Sequence, residues 1–100
     1  NATLVLITDH HTRKTDSFPA FDIFAKNSEG LTQQDYRNAT TELCNFLGIP
    51  VIHAGEECGI SYLTPDCYLD QIHHTEKGAK IFAETIWAGL KEIPNMKKHI

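Results

Sequence analysis

An apolar run near the start of the chain, TLVLIT at residues 3–8, most limits the folds open to it. The run is rich in β-branched residues and does not alternate with polar ones, which is typical of a strand buried on both faces of a parallel sheet. A second run, IPVIHA at residues 49–54, follows a helical pattern and a short connection. The sequence therefore predicts a βαβ unit, in which the second strand lies parallel to the first.

Two amphipathic helices are predicted, and each begins after a threonine that can cap it. The first occupies residues 32–47, with Thr32 as its N-cap and Gly48 just beyond its end. Its apolar positions are Tyr36, Ala39, Leu43, Phe46 and Leu47. The second begins after Thr75 and ends ahead of Pro94, and its apolar face holds Ala79, Phe82, Ala83, Ile86, Trp87 and Leu90.

The two long connections, residues 9–30 and 55–69, are predicted to be loops with short helical turns near Pro19 and at residues 65–69. Two parallel strands alone leave their outer edges unpaired, so a buried strand near residue 3 needs a further neighbour. We therefore expect the 100 residues to form the C-terminal portion of a single α/β domain. We expect this portion to belong to a larger α/β layer with a parallel sheet, whose missing strands precede Asn1.

The composition excludes several classes of function. The formal net charge is -4, and the only adjacent basic pairs are Arg13-Lys14 and Lys97-Lys98. Such a chain has no stripe of positive charge to neutralise phosphates, so we expect no nucleic-acid partner. The apolar run at residues 3–8 is far too short to cross a bilayer, so we expect no membrane span.

Neither the cysteines nor the histidines predict a metal centre. Cys44, Cys58 and Cys67 lack the paired spacing of zinc sites, and we expect buried thiols, although Cys58 and Cys67 flank a loop and can pair in an oxidising compartment. The candidate ligands are His10, His11, His53, His73, His74, Asp9, Glu56, Glu57 and Asp70. Because the histidines are adjacent or lack an H-E-x-x-H pattern, we expect no metal and no cofactor.

Asp70 and His73 form the pattern with the clearest chemical meaning, since they lie three residues apart just ahead of the second helix. On a turn, the Asp70 carboxylate can accept a hydrogen bond from Nδ1–H of His73. That bond fixes the tautomer in which Nε2 is free to act as a general base. The alternative is that Asp70 caps the helix entry and His73 is a surface residue.

The stretch DQIHHTEKGA at residues 70–79 resembles the last motif block of the SGNH (GDSL-type) hydrolase family. In that block D-x-x-H is followed by a polar residue and by a glycine at the start of the C-terminal helix. The matching positions here are Asp70, Ile72, His73, Thr75, Gly78 and Ala79. Residues 3–8 and 36–54 are also similar to the strand, helix and strand that precede this block in the family, so the resemblance covers residues 3–92.

The resemblance implies that the fold is part of a three-layer α/β/α sandwich with a parallel sheet, of the flavodoxin-like type, whose N-terminal strands are missing. It further implies a serine esterase or deacetylase that hydrolyses acyl or acetyl esters of small molecules or carbohydrates. It also implies that His73 is the general base and Asp70 the residue that orients it, whereas His74 takes a position usually given to Leu or Pro. No Gly-Asp-Ser, second-block glycine or Gly-x-Asn-Asp occurs in the sequence. We therefore expect the nucleophile and the oxyanion donors upstream, on the same polypeptide or a second chain, and we expect the isolated 100 residues to be inactive.

Two other functions fit the same pattern. An O-acyltransferase of the same fold would use a sugar hydroxyl in place of water. A non-catalytic α/β binding or interaction domain would have kept the fold, with Asp70 and His73 in capping and surface roles.

Overall fold

Two short parallel strands lie at the centre of the fold. The computed structural model describes residues 2–94 and Met96. Strand β1 (Leu6–Ile7) pairs with β2 (Val51–Ile52), so that Leu6 lies opposite Val51 and Ile7 opposite Ile52. Helix α1 (Gln33–Leu47) connects the two strands, which confirms the predicted βαβ order. Each strand holds only 2 residues, fewer than the predicted runs at 3–8 and 49–54.

The prediction that the first strand is buried on both faces is wrong for the described residues. Leu4 is 68% exposed and Ile7 is 41% exposed. In the described part of the chain β1 pairs with β2 alone, so its apolar side chains have a neighbouring strand on one side only.

Helix α1 begins and ends where the sequence predicts, because both of its ends are capped. The Thr32 hydroxyl accepts a hydrogen bond from the Asp35 amide, and the Asp35 carboxylate accepts one from the Thr32 amide at 2.8 Å, which completes a capping box. At the other end Gly48 adopts the left-handed conformation, with φ of 72°.

The apolar face of α1, which consists of Tyr36, Leu43, Phe46 and Leu47, is exposed. Phe46 is 86% exposed, whereas the residue that the helix buries is Cys44. The helix therefore turns a different side to the sheet from the one that the apolar pattern marks.

Helix α3 (Glu76–Glu92) packs against β2 and the core through two glycines. A Cβ atom at Gly89 would lie 2.5 Å from Cγ2 of Ile52, and one at Gly78 would lie 2.5 Å from the carbonyl oxygen of Cys67. The predicted cap at Thr75 and the end before Pro94 are confirmed. Of the predicted apolar face, Phe82, Ile86 and Leu90 are half-buried, but Ala79, Ala83 and Trp87 are exposed.

A four-residue helix, α2 (Ala54–Glu57), was not predicted, since the sequence indicated a strand end and a loop there. A Cβ atom at Gly55 would lie 1.7 Å from the carbonyl oxygen of Asp9, so α2 sits directly on the segment that leaves β1. The buried Thr8 hydroxyl accepts from the Gly55 amide at 3.0 Å and joins the two segments.

The core lies between α3 and the loop ahead of it. It contains Cys58, Ile60, Cys67 and Tyr68, against which Ile81 and Phe82 pack. Cys44, Cys58 and Cys67 are buried free thiols, as the sequence favoured. Short 3-10 turns at Pro19–Phe21 and Pro65–Cys67 confirm the predicted helical turns.

The described residues thus form a mixed α/β arrangement of three helices and a two-stranded parallel sheet. This confirms the α/β class that the sequence predicts. Among residues 2–94 and Met96, no helix has both the length and the apolar character that crossing a bilayer requires.

Candidate active site

Asp70 and His73, the two predicted site residues, are in direct contact. Nδ1 of His73 lies 2.7 Å from Oδ2 of Asp70. A carboxylate can only accept, so this bond places the proton on Nδ1 and leaves Nε2 with a free lone pair. The contact gives the imidazole the tautomer that a general base requires.

The turn that carries this pair is built around the other carboxylate oxygen. Oδ1 of Asp70 accepts hydrogen bonds from the amides of Ile72 at 2.8 Å and His73 at 2.7 Å. The Leu69 amide donates to the His73 carbonyl at 2.8 Å, and this closes the turn. Both oxygens of one carboxylate are therefore engaged, one in shaping the backbone and one in holding the ring.

These hydrogen bonds keep Asp70 ionised. The backbone amide of His73, then that of Ile72, and then the His73 ring lower the pKa of Asp70 from 3.8 to about 2. The carboxylate is therefore negative throughout the neutral pH range.

His73 is largely exposed to solvent. Its side chain is 67% exposed, and in the described part of the chain no group forms a hydrogen bond with Nε2. None of Ser17, Ser28 and Ser61 forms a hydrogen bond with this nitrogen; the Ser61 hydroxyl instead accepts from the Leu63 amide at 3.1 Å. The His73 ring is thus accessible, and the described residues do not engage its Nε2.

The start of α3 holds this turn on the core. The Thr75 amide donates to the Cys67 carbonyl at 2.9 Å, and its hydroxyl donates to the Asp66 carbonyl at 2.9 Å. The same hydroxyl accepts from the Gly78 amide at 3.2 Å and caps α3. Lys77 also contacts the Asp66 carboxylate. The position of His73 is therefore tied to the helix that follows it.

The segment that leaves β1 contacts the turn from the other side. Nε2 of His10 lies 2.5 Å from the Ile72 carbonyl oxygen, and the Arg13 amide donates to the Gln71 carbonyl at 2.8 Å. The Tyr68 hydroxyl donates to the His11 carbonyl at 2.5 Å. Since parallel strands present their carboxyl ends to a shared edge, these bonds bring Asp70 and His73 to that edge of the sheet.

Sequence reasoning missed this role of His10, which it treated as a solvated or substrate-lining histidine or a metal ligand. No local pattern marks the contact, because His10 and Ile72 lie 62 positions apart along the chain.

His74, the neighbour of the candidate base, lies in a different environment. Its ring centroid is 3.8 Å from that of His10 and 5.5 Å from that of Phe82, and its Nε2 is buried without a hydrogen-bond partner. Burial, and next the nearby His10, lower its pKa. The structure therefore distinguishes the two adjacent histidines: His73 faces outward, and His74 packs inward.

The remaining candidate metal ligands form at most pairs within the described residues. His53 contacts the Glu56 carboxylate at 3.2 Å, and Arg37 lies 3.9 Å from the same side chain. Within residues 2–94 and Met96 no three His, Cys, Asp or Glu side chains come together as a metal site would require. A polar groove of about 500 Å³ lies beside His53 and Glu56, and neither Asp70 nor His73 lines it.

Comparison of the chain with protein-family models, with curated proteins and with solved structures finds no match.

Proposed function

We propose that this chain is the C-terminal portion of a serine esterase or deacetylase of the SGNH type, in which His73 is the general base. The observation that carries the proposal is the 2.7 Å contact between Nδ1 of His73 and the Asp70 carboxylate, in a His73 side chain that is 67% exposed. A surface Asp and His in capping roles have no need of this ring contact, since the backbone bonds of Asp70 already shape the turn.

In the proposed reaction, Nε2 of His73 takes the proton from a serine hydroxyl as that oxygen attacks the ester carbonyl carbon. The Asp70 carboxylate holds Nδ1–H and stabilises the imidazolium that forms. Nε2–H then protonates the departing alkoxide, and the acyl group stays on the serine. A water molecule, deprotonated by the same Nε2, releases the acid and restores the serine.

The serine and the oxyanion donors belong to an upstream part of the domain in this proposal. Three features of the described residues support it: β1 pairs on one edge only, Leu4 and Ile7 are exposed, and the apolar face of α1 is exposed. Further parallel strands beside β1, together with the helices that connect them, would cover these groups and give them the burial that the sequence pattern indicates. The complete fold would be a three-layer α/β/α sandwich, with α1 and α3 in its two outer layers.

Labelling with a fluorophosphonate, which reacts with activated serines, tests this function. The protein should be produced from its complete reading frame as wild type, His73→Ala and His74→Phe. We expect labelling of the wild type and of His74→Phe, and labelling of His73→Ala reduced by about 100-fold or more, because proton transfer contributes factors of about 100 to 10,000. Equal labelling of the wild type and His73→Ala would overturn the proposal, and no labelling of any protein would favour a non-catalytic domain.

A further inference from the structure

His10 forms a hydrogen bond with the peptide unit that joins Ile72 to His73, the candidate base. The carbonyl oxygen of Ile72 and the amide of His73 belong to one planar peptide unit. The oxygen lies 2.5 Å from Nε2 of His10, and the amide donates to Oδ1 of Asp70 at 2.7 Å. The unit is therefore held at both ends by side chains, so its plane cannot rotate without loss of a hydrogen bond.

The donor in the His10 contact follows from the chemistry of its partner. A carbonyl oxygen only accepts, so Nε2 of His10 carries the proton. The bond is thus a directed N–H···O bond from a half-buried ring to the backbone.

The ring of His10 is itself confined. Its centroid lies 3.8 Å from that of His74 and 5.7 Å from that of Phe82. Its backbone is fixed too, because the Arg37 guanidinium donates to the His10 carbonyl at 3.2 Å, and two residues earlier the Thr8 amide donates to Ile52 in the sheet at 3.0 Å. Because both the ring and the backbone of His10 are held in place, His10 is a rigid hydrogen-bond partner for the Ile72 carbonyl.

We infer that His10 is a positioning residue, which sets the direction of the His73 imidazole by fixing the Ile72–His73 peptide against the end of β1. The value of this placement for catalysis rests on the proposed function, since the carboxyl edge of the sheet is where an upstream nucleophile would meet the base. The placement itself does not depend on any activity. His10 acts through the backbone of His73 and contacts no reacting atom.

Two substitutions of His10 separate the effect of its hydrogen-bond donor from the effect of its ring packing. His10→Phe keeps a ring of similar size between His74 and Phe82 but removes the donor. His10→Gln supplies an amide N–H that can reach the Ile72 carbonyl. His53→Phe is the matched control, because His53 contacts Glu56 rather than the turn.

Nuclear magnetic resonance of the 100-residue chain reads the effect directly from the Nδ1–H of His73 and from the amides of Ile72 and His73. We expect His10→Phe to speed solvent exchange of these protons by about tenfold, the scale of one lost hydrogen bond, and to move the Nδ1–H resonance upfield. His10→Gln should restore both properties, and His53→Phe should leave them unchanged.

Unchanged exchange and resonance position in His10→Phe would overturn the inference, as would the same change in His10→Phe and His10→Gln. The outcome is independent of the proposed reaction. If His10→Phe alters these protons while the complete protein shows no esterase activity, the positioning holds and the proposed function fails.

Discussion

The Asp70 carboxylate makes two contacts with His73, one with its ring and one with its backbone. Oδ2 contacts the imidazole Nδ1 at 2.7 Å, and Oδ1 accepts from the backbone amide of the same residue at 2.7 Å. The ring and the backbone of His73 are thus both held by one side chain, and the contact of His10 with the Ile72 carbonyl holds the same peptide from the other side. This relationship leads to the first of four stability predictions.

Replacement of Asp70 by Asn should make the free energy of unfolding depend less on pH in the acid range. The pKa of Asp70 is about 2 in the folded chain and 3.8 in the unfolded chain. Between these two pH values the unfolded chain therefore binds a proton that the folded chain does not. The stabilisation from this group is therefore complete above about pH 3.8 and is lost as the pH falls towards 2. Asn keeps an oxygen for the two backbone amides but cannot titrate.

Urea unfolding at a series of pH values between 2 and 5 measures this difference. We expect the free energy of unfolding to fall less steeply in Asp70→Asn than in the wild type. Asp35 and Asp66, whose pKa values are also lowered, titrate in both proteins and serve as an internal control. Parallel profiles for the two proteins would contradict the prediction.

Gly78→Ala should destabilise the chain even though alanine is the better helix former. Helix propensity alone would favour the change by about 1 kcal/mol. The new Cβ would lie 2.5 Å from the carbonyl oxygen of Cys67, a backbone atom that cannot swing aside. We expect a net loss of about 2 kcal/mol in the free energy of unfolding, the scale of an overpacked contact.

Lys80→Ala, on the exposed side of the same helix, is the control and should change the free energy of unfolding by less than about 0.5 kcal/mol. A stabilised Gly78→Ala protein would show that α3 does not approach Cys67 so closely.

The exposed apolar face of α1 should contribute little to the stability of the 100-residue chain. Phe46 is 86% exposed, so Phe46→Ser should change the free energy of unfolding by less than about 0.5 kcal/mol. Ile60 is 2% exposed, and Ile60→Ala should cost about 2 to 5 kcal/mol. In the protein from the complete reading frame, Phe46→Ser should instead cost about 2 kcal/mol or more if the proposed upstream strands and helices bury this side chain. Equal small effects in both proteins would contradict the proposed upstream layer.

His74→Phe should leave the fold intact and make it less sensitive to mild acid. Nε2 of His74 is buried without a partner, so a phenyl ring removes a group that costs about 1 kcal/mol to desolvate. Because burial lowers the pKa of His74 below 6.5, wild-type stability falls as the pH drops through 6.5, when the unfolded chain gains a proton that the folded chain resists.

Thermal unfolding between pH 5 and 8 tests this prediction. The midpoint of His74→Phe should decline less on acidification than that of the wild type. His11, whose pKa is lowered by burial and by Arg37, causes some decline in both proteins. An equal decline in both would show that His74 is not the titrating group.

The sequence predicted those parts of the structure that depend on local interactions. Thr32, Gly48 and Thr75 mark the ends of α1 and α3 because caps act within one turn of the chain. The contact between Asp70 and His73 follows from a spacing of three residues on a turn.

Features that depend on distant parts of the chain were missed. Helix α2 forms where Gly55 meets the Asp9 carbonyl, and His10 reaches Ile72 across the fold, so neither contact leaves a local pattern. The apolar pattern of α1 identified the helix but not the side that it turns to the sheet, because Phe46 marks a face that no described residue covers. Periodicity shows that a face is apolar and does not show what packs on it.

The most direct test of the central proposal is the rate of acetyl ester hydrolysis by the protein from its complete reading frame, compared between the wild type and His73→Ala at neutral pH. The account predicts that kcat falls by a factor of about 100 to 10,000 while KM changes little, because His73 acts in proton transfer. An unchanged kcat would contradict it.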